Sequence, residues 1–254
     1  MSLRITGPGL LAVAMLFVGA ACEKGSSSPQ PVSPAAPAAA APAPAAEPAA
    51  APAAVAPAPA AAPAAVAPAP TAAPATVAVG AQAPDFTLTS TDDEAFTLSS
   101  LRGKTVVLEW YNPDCPFVRY AHTEGPLKDL AAKQTPTGVV WLAINSGAPG
   151  KQGYGKERNV ASRTEYGLSH PVLLDEDGKV GHLYGATRTP EFWIVDAKGV
   201  VAYAGALDNA PLGRTSGDEA LVDYVSAALA DIAGGKAPAM ASTKPYGCGV
   251  KYAD

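Results

Sequence analysis

The sequence predicts an α/β fold built around one mixed β-sheet and confined to residues 79–254. Three observations lead there. Short β-branched and aromatic runs alternate with helix-like stretches after residue 79. The last two such runs form a hairpin followed by an amphipathic helix, which adds antiparallel pairing to parallel βαβ layering. Before residue 79 the chain is almost entirely alanine and proline and offers little to bury.

In chain order, 86–88 and 95–98 alternate apolar and polar residues around a Thr91-Asp92-Asp93 turn and read as a hairpin. Residues 105–111 form an apolar, β-branched run, a buried strand. Helix is expected over 116–134, with Pro116 in its first turn and Gly125-Pro126 kinking or dividing it. A second buried strand covers 139–144, a surface helix 156–166, a short strand 172–174 and a short helix 180–184. Strands at 192–195 and 200–203 flank Asp196-Ala197-Lys198-Gly199. An amphipathic helix over 218–232 closes at Gly234-Gly235.

The chain divides into 1–21, 22–78 and 79–254. Arg4, the apolar stretch 10–21 and the small residues before Cys22 read as a targeting signal. Val18-Gly19-Ala20-Ala21-Cys22 resembles the lipobox of bacterial lipoproteins, with Gly19 where an aliphatic residue is usual. Lipidation of Cys22 is the expectation, a plain secretory signal the alternative. That places the protein in the cell envelope, facing the periplasm; Glu23, rather than Asp, after the cysteine leaves the outer membrane as the expected address. No run of 18 apolar residues is present, so no membrane-spanning helix is expected. In 29–76, proline recurs too often for a helix to propagate. A disordered, partly extended tether is expected, with a reach on the order of 100 Å in polyproline II form. The net charge of -5 argues against nucleic acid.

There are three cysteines, Cys22, Cys115 and Cys248. With Cys22 acylated, two thiols remain in an oxidising compartment, where they usually form a disulfide or a redox pair. Cys115 follows a buried strand and precedes a helix, and the free N–H groups of a helix N-terminus stabilise a thiolate. The reading is a reactive thiol; a small buried hydrophobe is the alternative.

Asp114-Cys115-Pro116-Phe117-Val118-Arg119-Tyr120 resembles the active-site segment of thioredoxin-like redoxins of the alkyl hydroperoxide reductase and thiol-specific antioxidant superfamily. Ala83-Pro84-Asp85-Phe86 resembles their opening strand and 140–146 their second core strand. Residues 184–192 resemble their cis-proline segment. Lys244-Pro245-Tyr246-Gly247-Cys248-Gly249-Val250-Lys251-Tyr252 resembles the Gly-Cys-x-Ile/Val-Lys tail of one branch. The resemblance implies a thioredoxin fold, thiol-based oxidoreductase activity and no cofactor. It implies a protein or small-molecule disulfide, or a hydroperoxide, as substrate, and a thiol reductant as partner. Two departures stand out. Val118 occupies the place of the second cysteine of Cys-x-x-Cys, and Asn112 and Leu108 replace the Thr/Ser and Pro usual in thiol peroxidases.

The resemblance also implies a cis Thr189-Pro190 bond whose backbone edge meets substrate beside Cys115. Arg188 next to it either polarises a bound oxygen or disulfide, stabilises the thiolate, or is a solvated surface residue. Pro116 and Asn112 complete the expected substrate surface. Glu109, six residues before Cys115, resembles the buried acid that handles the thiol's proton, with burial raising its pKa; an outward-facing strand position is the alternative. Cys248, in a Gly-flanked tail able to move, is read as a resolving cysteine, with a static disulfide or an unpaired thiol as alternatives. Residues 147–153 are glycine-rich but carry Gln152 after Gly150-Lys151, fail the phosphate-loop pattern and read as a flexible rim loop. His122, His170 and His182 lack metal-ligand spacing and read as solvated or hydrogen-bonded.

Overall fold

The structure, a computed structural model, describes residues 77–254. The expected signal, the lipidation site Cys22 and nearly all of the tether lie outside the described residues. The hairpin is β1 (Thr87–Ser90) and β2 (Ala95–Thr97), followed by β3 (Val106–Trp110). The predicted long helix is divided, as Gly125-Pro126 requires, into α1 (Pro116–Thr123) and α2 (Leu127–Gln134). Next come β4 (Val140–Asn145), α3 (Lys156–Tyr166), β5 (Val172–Leu174) and α4 (Lys179–Tyr184). Short β6 (Arg188–Thr189) leads into β7 (Glu191–Val195) and β8 (Val201–Gly205). The last elements are α5 (Tyr224–Ala233) and β9 (Cys248–Gly249).

Seven strands form one sheet in the order β2-β1-β5-β4-β3-β7-β8. β3, β4 and β5 run parallel at its centre; the flanking pairs are antiparallel. Strand periodicity of two sends Leu108 and Trp110 to the face covered by Val180 and Tyr184 of α4. Val107 faces the other side, packed with α1, α2 and α5. Tyr111, Cys115, Val118, Ala143 and Tyr166 form a third apolar cluster at the C-terminal end of the parallel strands. A central mixed sheet with helices on both faces is the thioredoxin-like fold that the sequence predicts.

Two expectations need correction. The last helix begins at Tyr224 rather than 218, because Asp223 takes an extended conformation and its carboxylate accepts from the Ser226 N–H, an N-cap. The glycine-rich segment 147–153 is tied down rather than loose. The Gly153 carbonyl accepts from Asn145 Nδ2 at 2.8 Å, and the Gln152 carbonyl accepts from Asn112 Nδ2 at 3.1 Å.

Candidate active site

Cys115 is the N-cap of α1, with Pro116 exposed at the first helical position. Its backbone is extended (φ -82°, ψ 122°), so the chain turns from strand into helix at this residue. The loop before it is braced on several sides. Asn112 Oδ1 accepts from the Asp114 N–H, and Arg158 Nε donates to Asp114 at 2.7 Å. The Pro113 carbonyl accepts from both Arg158 and the Tyr166 hydroxyl. Both polar atoms of Asn112 are thus engaged within the protein. Beside Cys115 lies a cleft of about 310 Å³ lined by Asp114, Pro116, Arg119, Arg158 and Tyr166 among others.

The Thr189–Pro190 bond is cis. The Thr189 carbonyl lies 3.1 Å from Cys115 Sγ, within reach of the thiol proton. This corner is held by Glu191, which sequence reasoning missed. Its carboxylate accepts from the backbone N–H groups of Thr187 at 2.7 Å and Arg188 at 2.8 Å. A buried acid four and three residues past the two N–H groups it binds is a local signal of the kind found at helix caps. Burial, opposed by these bonds, raises the Glu191 pKa. Arg188 is exposed and donates to the carbonyl of Thr187.

The tail brings the second thiol. β9 pairs antiparallel with β6, Cys248 opposite Thr189 and Gly249 opposite Arg188. Cys248 Sγ lies 2.6 Å from Cys115 Sγ although the two are 133 residues apart in the chain. Both are free thiols. Burial, then the hydrogen bond to Cys115, push the Cys248 thiol up to about 12, so it is protonated at neutral pH. The route of the tail is set beforehand. Residues after α5 run along β8, where the Ala204 N–H donates to the Ala241 carbonyl and the Thr243 N–H to the Ala204 carbonyl. The Thr243 hydroxyl then pairs with the Tyr203 hydroxyl at 2.6 Å.

Glu109 is fully buried, not outward-facing. It bonds His122 Nε2 at 2.7 Å and accepts from Trp141 Nε1 at 2.9 Å. Its pKa differs from the sequence expectation. Burial acts to raise it, but the His122 ring and the Trp141 N–H outweigh that and hold the carboxyl below its usual range. Glu109 makes no hydrogen bond to either cysteine. His122 is therefore hydrogen-bonded and buried; its partner escaped notice because α1 and β3 meet only in the tertiary structure. His170 packs 6.1 Å from His122, buried with neither ring nitrogen partnered, and burial pushes its pKa down to about 4. It is neutral at neutral pH. His182 is exposed and stacks on Tyr252 at 4.0 Å. Among the described residues no group of three His, Cys, Asp or Glu side chains is placed to hold a metal ion.

Residues 78–221 match the Redoxin family. The chain belongs to that family. The matched span holds Cys115, Glu109 and the cis-proline corner but ends before α5 and the Cys248 tail. A curated relative, the thiol-disulfide oxidoreductase ResA of Geobacillus thermodenitrificans, is 33% identical over 125 residues, 48% of this chain and 66% of the relative. The chain thus spans a little under two thirds of that relative's length. Two solved structures cover 70% of this chain, each with a TM-score of 0.61. An uncharacterised conserved protein from Geobacillus kaustophilus is 29% identical, with 94% of its chain covered. A hypothetical protein from Sinorhizobium meliloti is 26% identical, with 97% covered. These matches support the thioredoxin-like fold over most of the described residues.

Proposed function

We propose that this protein is a thiol–disulfide oxidoreductase in which Cys115 is the nucleophile and Cys248 the resolving thiol. The observation that carries the reading is the approach of the two sulfurs to 2.6 Å, one at a helix N-terminus and one on a docked strand. The family and the named activity of the ResA relative support it.

In the cycle, the Cys115 thiolate attacks a substrate disulfide. A Cys115–substrate mixed disulfide forms and one substrate thiolate leaves. Cys248 then loses its proton and attacks Cys115 Sγ; the Cys115–Cys248 disulfide forms and the second substrate thiolate leaves. The substrate gains two electrons and the protein loses two, which a dithiol reductant must return. Thr189 and Pro190 present the backbone edge to substrate, with Arg188 and Pro116 at its rim. Asn112 acts indirectly, by fixing the loop. Glu109, lacking contact with the sulfurs, acts by holding His122 of α1 and Trp141 of β4 in place behind the site. The same Cys115 thiolate would attack a hydroperoxide oxygen, breaking the O–O bond, releasing an alcohol or water and leaving Cys115 as a sulfenic acid, which condenses with the Cys248 thiol to the disulfide with loss of water.

The test is trapping. Cys248→Ser should accumulate a mixed disulfide with a protein disulfide substrate, and Cys115→Ser should abolish both trapping and turnover. Absence of disulfide turnover with fast, Cys115-dependent peroxide consumption would replace this reading with a peroxidase. The site of action is the cell envelope, with Cys22 as lipid anchor. Radiolabelled palmitate incorporation that vanishes in Cys22→Ala checks this, and unlabelled wild-type protein would refute it.

A further inference from the structure

The tail does more than deliver a thiol, because it occupies the strand edge beside Cys115. With β9 in place Cys115 and Thr189 are 0% and 1% exposed. The tail itself is half-buried along 245–252 and is held at points flanking Cys248. On one side the Tyr246 hydroxyl donates to Asp208 at 2.6 Å, and its ring meets Phe117. On the other, the Val250 N–H donates to the Thr187 carbonyl at 3.2 Å, and the Lys251 carbonyl accepts from the Ala148 N–H at 2.8 Å. Tyr252 fills a slot that exists because α4 is entered and built with glycine: a Cβ on Gly178 would stand 2.8 Å from the ring, and one on Gly181 closer still. Its hydroxyl donates to the Ala186 carbonyl at 2.8 Å, and its ring stacks on His182. Gly247 has φ +115°, and a Cβ there would strike the Thr189 carbonyl.

The geometry points to a latch: the dithiol form is closed by its own tail, Tyr252 is the catch, and Cys115 reacts when β9 leaves the β6 edge to an incoming extended polypeptide that carries glycine immediately before its cysteine. The identity of the incoming strand rests on the oxidoreductase reading above; the latch itself does not. Backbone pairing in the register of β9 puts the residue opposite Thr189 within reach of Cys115, and the residue before it against the Thr189 carbonyl. Only glycine fits there without moving that carbonyl. The tail and such a substrate are mutually exclusive occupants of the β6 edge, so the tail sets the fraction of competent protein. In the resolving step the substrate strand, still tethered through the mixed disulfide, leaves the edge before β9 redocks and brings Cys248 to Cys115.

The test is the rate at which iodoacetamide alkylates Cys115 in the fully reduced, full-length protein, read by peptide mass. Wild type should react slowly. Tyr252→Ala and Gly247→Ala should each react about tenfold faster or more, and Tyr252→Phe, which keeps the stack, should fall between. Hydrogen exchange of the β3 amides in the same samples should be unchanged. Fast alkylation of wild type, unchanged rates in both variants, or acceleration only where β3 exchange also rises would overturn the latch. Because alkylation needs no disulfide substrate, an opened latch without disulfide turnover would sink the functional reading alone. For the partner, Tyr252→Ala should reduce an unstructured peptide with a Gly-Cys-Gly disulfide about tenfold faster than its Ala-Cys-Gly counterpart; equal rates would overturn strand addition.

Discussion

The two cysteines proposed to form the redox pair are held in opposite ways. Cys115 sits between a central strand and a helix, in a loop braced by Arg158, Tyr166 and Asn112. Cys248 sits on a strand of two residues, in a half-buried tail segment docked along β6. In a Cys-x-x-Cys motif both sulfurs share one turn and move together. Here one is part of the core and the other is docked onto it, so exchange chemistry can be coupled to docking. The difference is one of local stability: elements with few buried contacts open at far lower free energy than the global transition.

The largest test of that contrast falls on the fixed half. Glu109→Ala strips a fully buried carboxylate from His122 and Trp141 and should cost about 3–5 kcal/mol in denaturant unfolding. A loss no larger than that of an exposed substitution would mean that the core behind Cys115 is not the rigid side.

Acid acts on the same half. His170 has its pKa depressed to about 4 in the folded protein, against about 6.5 when unfolded. The unfolded chain therefore takes up a proton first as pH falls. The neutral-ring stability, complete above pH 6.5, drains away between about 6.5 and 4, by up to about 3 kcal/mol. His170→Phe should flatten that slope in pH-dependent melts; an unchanged slope would assign the acid sensitivity elsewhere.

Smaller effects belong to the docked half. Tyr252→Phe loses one hydrogen bond to a backbone carbonyl and should cost about 1 kcal/mol or less globally. It should speed amide exchange in 246–252 while leaving β3 untouched; equal acceleration in both would erase the distinction between the halves. Asp254→Asn removes the exposed pair with Lys151 and should leave the melting temperature unchanged at any ionic strength. A salt-dependent shift would show that the tail's end bears more of the docking than its aromatic catch.

Much of this was legible in the residues. The α/β order, the division of the long helix at Gly125-Pro126 and the thiol at a helix start all follow from periodicity and from what proline permits locally. The second thiol followed from counting cysteines, whereas the cis-proline corner was legible only as a resemblance. Other features were hidden. His122 is two turns along α1 from Cys115, so nothing in its spacing announces Glu109 as its partner. Burial alone argued for a raised Glu109 pKa, and the ring that reverses the direction comes from another element. Glycines 147–153 read as loose because composition reports the freedom of a chain, not the hydrogen bonds that remove it.

The sequence by itself determined the layered fold, the strand-to-helix turn that presents Cys115, and the absence of a second thiol at Val118, since each depends on residues within a few positions of one another. Only the tertiary structure decided that Cys248 lies against Cys115, that it does so as a strand on the cis-proline edge, and that Tyr252 finds a slot made by two glycines of another segment. Those contacts join residues tens to more than a hundred positions apart. Their formation depends on how β8, α4 and the tail pack, which no local pattern encodes.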